Sequence, residues 1–248
     1  NIGADAVAKA GDGHTIGVIG NGPLTSSKFL YPRLPYDPIS DLAPLAMIGS
    51  APLVLVAPHA AAADVPAYFG ALKRSGQGNY GSVGTGSGGH LGMELIREAM
   101  GLNMVHVPYN GGPAVVNDLL GGQVQMALLP PALAQAQVKA GKLRAIGVTS
   151  AGRSALAPDV PSLAEAGIQN FELEIWNAFA APATMPKALQ VRLATVLADI
   201  ARTPEVRAKL FQQGWQVAGT SPEGLANRIK ADTAALGQII AQRGIKAE

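Results

Sequence analysis

Between Asn79 and Pro131 the sequence twice repeats one design: a short apolar strand, a glycine-rich turn, then a helix. The first turn is Gly84-Thr85-Gly86-Ser87-Gly88-Gly89, opening a helix over His90 to Met100. The second is Asn110-Gly111-Gly112-Pro113, opening a helix over Ala114 to Leu120. Glycines leave backbone N–H groups uncovered, and the first turn of a helix holds N–H groups without an internal partner. Together with the positive end of the helix dipole, these donors attract an anion. Two such mouths side by side can hold a carboxylate or phosphate without lysine or arginine. The expectation is a binding site for a small anion.

Bond-making chemistry finds less support. Gly84-x-Gly86-x-x-Gly89 has the spacing of a dinucleotide fingerprint, but the next strand, Val105 to Asn110, ends without the acidic residue a ribose needs. No Gly-Lys-Ser/Thr follows the loop, which excludes a P-loop. The histidines His14, His59, His90 and His106 lack metal-ligand spacing, and without cysteine there is no thiolate site, disulfide or thiol nucleophile. His90 heads the first-turn helix, where it either donates to a ligand or caps the turn. His106, between two valines, reads as a satisfied sheet residue. Ser82 and Ser87 fail the nucleophile-elbow pattern, because Tyr80 and Thr85 stand where its first glycine belongs. Glu94, Glu98 and Asp118 fall on helices and read as solvated, while Glu172 and Glu174 share a strand face without a second sign of a glycosidase pair. No catalytic residue, metal ligand or cofactor is assigned.

The elements that must position these turns alternate between strand and helix. Strands are expected over His14–Ile19, ending at Gly20-Asn21-Gly22, and over Leu42–Ile48 and Leu53–Ala57. Further strands cover Val124–Leu129, Leu143–Thr149, Phe171–Ala180 and Trp215–Ala218. Helices are expected over Leu24–Tyr31 and, capped by Asp64, over Val65–Lys73. Pro130 and Pro131 open another that Gly141 stops, and Ser162 caps a short one to Ala166. Lys187–Arg202 and a restart at Thr203 running to Gln213 follow, and Ser221-Pro222-Glu223 opens the last, to Arg243. Such alternation predicts an α/β fold with mostly parallel sheets, whose ligands gather at the carboxyl ends of strands. The net charge of +2 comes from scattered lysines and arginines with no basic run, which argues against nucleic acid as a partner. No apolar run approaches the roughly 20 residues of a membrane span. The chain opens with Asn1-Ile2-Gly3-Ala4 and no methionine, so its natural beginning is expected to lie upstream.

A series of motifs makes the residues familiar. Tyr80-Gly81-Ser82 with Gly88-Gly89-His90-Leu91, and Val105-His106-Val107-Pro108-Tyr109-Asn110-Gly111-Gly112-Pro113-Ala114, stand in order. So do Asp118-Leu119-Leu120-Gly121-Gly122-Gln123-Val124, Ala140-Gly141-Lys142-Leu143-Arg144-Ala145 and Pro158-Asp159-Val160-Pro161 with Glu165-Ala166-Gly167. With Leu34-Pro35-Tyr36-Asp37-Pro38 near the start and Gly244-Ile245-Lys246 at the close, the chain resembles the Bug-type solute receptors of tripartite tricarboxylate transporters. The resemblance spans essentially the whole chain.

That resemblance implies a periplasmic two-domain binding protein, type II-like, with mainly parallel sheets and a hinge of two crossing strands. It implies domain 1 from 1–55 with 176–248, and domain 2 from 56–175. It further implies a cleft that closes on a small organic carboxylate, and membrane subunits of a tripartite transporter as partners. The family's first strand and helix, with a carboxylate-holding loop, would precede Asn1. The candidate ligand-binding set is Asn21, Thr25, Ser82, Thr85, Gly86, Ser87, His90, Tyr109, Gly111, Gly112, Leu129, Pro130 and Trp176. Many members carry an aspartate near the strand end that here reads Ala127-Leu128-Leu129-Pro130, so leucine there suggests a more apolar pocket. The alternative is an α/β enzyme or sensor domain acting on an acidic small molecule; the lack of a nucleophile–base pair favours the receptor.

Overall fold

The computed structural model describes residues 1–60, 65–169 and 171–246. The chain begins with α1 (Ile2–Ala8), β1 (Gly17–Gly20), α2 (Asn21–Leu24), α3 (Ser27–Leu30), β2 (Leu42–Pro52) and β3 (Val54–Pro58). Next come α4 (Val65–Ser75), β4 (Gly78–Ser82), α5 (Gly88–Ala99), β5 (Met104–Pro108) and α6 (Gly112–Leu120). They lead to β6 (Met126–Leu129), α7 (Pro131–Lys139), β7 (Leu143–Val148) and β8 (Glu174–Pro182). The chain closes with α8 (Lys187–Arg202), α9 (Pro204–Gln212), β9 (Gln216–Val217) and α10 (Pro222–Arg243).

Local chemistry explains where these elements depart from the pattern. Asp12 gathers the amides of His14 and Thr15 at 2.8 and 2.9 Å, so β1 starts only at Gly17. The helix expected over Leu24–Tyr31 breaks into two single turns, because the Thr25 hydroxyl donates back to the Asn21 carbonyl at 2.6 Å and closes the first. Around Ser162 a capping box forms, with the Ser162 amide on Glu165 at 2.7 Å and the Glu165 amide on Ser162 at 3.2 Å. Yet Gly167, at φ 91°, turns the chain away before a helix develops. The Ser221 cap does start α10, its hydroxyl accepting from the Gly224 amide at 3.1 Å. The expected cap at Asp64 lies outside the described residues.

The chain forms two compact units: Asn1–Ser50 with Ile175–Glu248, and Ala51–Glu174. In the first, a four-stranded sheet runs β1-β8-β2-β9, with β1 against β8 and β2 against β9 both antiparallel. Its core gathers Leu24, Tyr36, Leu42, Trp176 and Ala178 with Leu225 and Ile229 of α10.

The second unit is a five-stranded sheet in the order β5-β4-β6-β3-β7. Here β4 pairs parallel with β5 and β6, while β3 pairs antiparallel with β6 and β7. The expected mainly parallel sheets are thus mixed. The βα alternation does orient β4, β5, β6 and β7 alike, but the reversed β3 is wedged between two of them. In the first unit both pairs named above are antiparallel. One hydrophobic cluster of the second unit lies on the α6–α7 side, where Val115, Leu119, Val124, Ala127 and Leu129 meet Val54, Val56 and Val148, and Leu91, Met93 and Ile96 of α5 are buried as well.

Candidate functional site

Three neighbouring parallel strands of the second unit end at one edge, and each runs straight into a helix. The register pairs Ser82 with Pro108 and Gly81 with Ala127, so β5, β4 and β6 terminate at nearly the same level. Adjacent strands are about 4.8 Å apart, which places the first turns of α5, α6 and α7 within roughly 10 Å. Segments 83–89, 109–115 and 130–133 contain no charged residue. Among the described residues, the amides of Thr85, Gly88, Gly89, Gly111, Gly112, Ala114, Ala132 and Leu133 have no partner. These donors, with the positive ends of three helix dipoles, give the edge the chemistry to attract an anion through backbone alone. Pattern reading found two of the mouths as sites; the third, at α7, becomes a neighbour only through the β4–β6 pairing.

The first turn rests on a buried polar layer. Tyr80 and Ser82 on β4 and His106 on β5 share a sheet face, and α5 lays His90, Glu94 and Arg97 against it at i, i+4 and i+7. Tyr80 donates to Glu94 at 2.6 Å, and Glu94 pairs with Arg97 at 2.7 Å. Glu94 is therefore buried in an ion pair, not solvated as its helical position suggested. The His90 and His106 rings stack at 3.8 Å and 8°. Ser82 Oγ lies 2.6 Å from His106 Nε2 and also meets the Gly84 carbonyl at 3.0 Å and amide at 3.2 Å. The Gly86 amide donates to His90 Nδ1 at 3.0 Å, and Ser87 caps α5 by accepting from the His90 amide at 3.2 Å.

This layer reassigns several candidates. Gly86 spends its amide on His90 and does not offer it to a ligand, whereas Ser87 uses only its oxygen as the cap and keeps its hydroxyl proton available as a donor. His90, 5% exposed, is an acceptor for the turn. Burial first, and the Arg97 charge next, lower its pKa to about 4. For His106 burial and then His90 lower the pKa to about 4, against a smaller upward pull from Glu94. Ser82 and His106 form the serine–histidine contact that spacing had not revealed. Ser82 is 1% exposed and its hydroxyl donates to the Gly84 carbonyl while its oxygen meets His106 Nε2, so the contact braces the turn and gives no access to a substrate. Thr85 keeps a hydroxyl with no partner among the described residues.

The second turn is built differently. Gly111 sits at φ 118° and ψ 164°, a backbone only glycine adopts without strain. A Cβ on Gly112 would meet Leu133 Cδ2 at 2.4 Å, so this glycine lets α6 approach α7 and does not face open ligand space. Tyr109 donates its hydroxyl to Asp118 at 2.6 Å, and burial first, then that partner, pushes its pKa up to about 12. Tyr109 therefore supports the turn. Leu129 is fully buried in the core and Leu128 is 3% exposed, so neither leucine sets the polarity of a pocket. Pro130 remains at the mouth, as the cap position of α7.

Three candidates belong to the first unit. Asn21 opens α2, and Thr25, fully buried, closes it. Trp176 is 1% exposed, and its indole donates to Asp232 at 2.6 Å, which Arg228 holds at 2.9 Å; it is a core residue. No group of three or more histidine or acidic residues among the described residues is arranged to hold a metal.

The profile of the tripartite tricarboxylate transporter family receptor, TctC, matches residues 1–245. The chain belongs to the TctC family. It is 35% identical over 236 residues to the UPF0065 protein in the tcbD-tcbE intergenic region of Pseudomonas sp. strain P51, covering 94% of this chain and 70% of that one. The solved structure of R. palustris Rpa4515 with adipate matches with a TM-score of 0.89 at 27% identity, over 100% of this chain and 84% of that one. The periplasmic binding protein BugD matches at 0.86 and 26%, with the same coverage. The fold of this TctC-family chain is thus that of the two-domain periplasmic binding proteins.

Proposed function

We propose that this TctC-family chain is an extracytoplasmic receptor that binds a small organic carboxylate and delivers it, chemically unchanged, to the membrane subunits of a tripartite tricarboxylate-type transporter. The observation that carries the reading is the row of three helix mouths on one sheet edge, with free amides and no charged residue in the segments 83–89, 109–115 and 130–133 that form them. An anion there gains charge-assisted hydrogen bonds without the desolvation of a lysine or arginine. Thr85 adds a neutral hydroxyl to the same edge. The adipate bound by the Rpa4515 protein makes dicarboxylates of that size the first ligands to try. The same family assignment supports periplasmic residence.

Neutral donors predict a preference for charge in the ligand. A thermal-shift screen over C4–C6 dicarboxylates, tricarboxylates and aromatic acids identifies the ligand; at 100 times Kd it stabilises by about 2.7 kcal/mol. Calorimetry then compares that acid with its amide. The acid should bind roughly tenfold tighter or more, about 1.4 kcal/mol. Equal binding of both would refute the site. Stoichiometric incubation followed by mass spectrometry should return the ligand intact, and turnover by a clean preparation would end the receptor reading.

A further inference from the structure

The two glycines of the first turn with left-handed backbones, Gly84 at φ 126° and Gly86 at φ 79°, are also the two that the histidines hold. His90 accepts directly from the Gly86 amide. His106 reaches Gly84 through Ser82, whose hydroxyl meets both the Gly84 amide and the Gly84 carbonyl. The stacked rings fix each other, and Tyr80, 5.1 Å from the His106 ring, closes the column with its hydroxyl on Glu94. A turn so rich in glycine has little stiffness of its own, because glycine loses more conformational freedom on ordering than any other residue.

We propose that His90 and His106 are positioning residues of the anion site, clamping Gly84 and Gly86 so that the Thr85, Gly88 and Gly89 amides stay presented to a ligand. The proposal rests on the carboxylate reading above. The clamp works only with His90 as a neutral acceptor at Nδ1, because a protonated ring would turn an N–H against the Gly86 N–H. Burial supplies that condition, with Glu94 and Arg97 of α5 the charged groups facing the pair. A filler of the polar core would contribute to stability alone; a clamp also sets affinity.

The test compares His90→Asn, whose side-chain oxygen can accept where Nδ1 did, with His90→Leu, which fills the space but cannot accept. The Gly86 amide is followed by NMR in unliganded protein, and adipate affinity by calorimetry. In His90→Leu the Gly86 amide should exchange about tenfold faster or more and adipate should bind about tenfold more weakly, the scale of one lost hydrogen bond. His90→Asn should recover both, even where the two variants lose similar thermal stability. An unchanged Gly86 amide in His90→Leu overturns the clamp, and so does a changed amide with unchanged adipate affinity. Should His90→Leu not fold, His106→Gln, which keeps a nitrogen donor near the Nε2 position, against His106→Leu reads the same effect at Gly84. Failure of the wild-type protein to bind any carboxylate of the screen would sink the carboxylate reading instead, and the amide exchange would still decide whether the histidines hold the turn.

Discussion

The two glycine turns look alike in the sequence and are supported in opposite ways. The first sits on histidines, a tyrosine, a glutamate and an arginine, buried and mutually bonded. The second sits on an apolar contact, Gly112 against Leu133, on a left-handed Gly111, and on one Tyr109–Asp118 bond. The same backbone device, free amides at a helix start, is therefore held by directional bonds on one side and by packing on the other. Directional bonds fix an orientation but fail when a proton arrives or one partner is removed. Packing ignores pH but tolerates no added atom.

Acid should break the first turn and spare the second, and this is the largest effect expected. Both histidines titrate in the folded state near 4, below their ordinary value of 6.5. Below pH 6.5 the unfolded chain takes up protons that the folded chain refuses. The stability they contribute is thus complete above pH 6.5 and lost as the pH falls towards 4, by up to about 1.4 kcal/mol per pH unit for each histidine. Urea unfolding between pH 7 and 4 should show this slope, and His106→Gln should flatten it. A pH-independent midpoint across that window would mean the layer is not held neutral.

Next in size is Glu94→Leu, which leaves the buried Tyr80 hydroxyl without its acceptor. It should lower unfolding free energy by about 2–3 kcal/mol. A loss within experimental scatter would show that Tyr80 finds another partner and that the layer is not a connected network.

The second turn answers to volume. Gly112→Val places atoms where Leu133 already lies and should destabilise the unliganded protein by about 1–3 kcal/mol, with Leu133→Ala in the same chain recovering part of the loss. A mutant of unchanged stability but weakened carboxylate binding would instead put the Gly112 side of the turn in the ligand's path.

Thr85→Ala should be the mildest change. It should leave the unfolding midpoint within about 0.5 kcal/mol of wild type, as expected at a side chain without a partner. If the hydroxyl meets the ligand, adipate binding weakens by about 1 kcal/mol. Weaker binding from Thr85→Ala with no change from the second turn would shift the site toward α5.

The sequence by itself determined the strand–turn–helix units, since glycine, proline and capping residues act within a few positions of themselves. The starts of α5, α7 and α10 and the glycine-rich approach to each anion-attracting mouth were legible that way. The family was legible too, because its motifs stand in chain order. Tertiary pairing decided the rest. Only the β4–β6 register makes α7 a third mouth, and only the insertion of β3 turns a run of like-oriented strands into a mixed sheet. Glu94, a helical carboxylate by pattern, becomes a buried acceptor because β4 presents Tyr80 to it. Likewise Ser82 and His106, 24 residues apart, meet through the parallel register of β4 and β5. Leu129 and Trp176 turned from candidate contacts into core because a residue's facing depends on which element covers it, and local sequence does not record its cover.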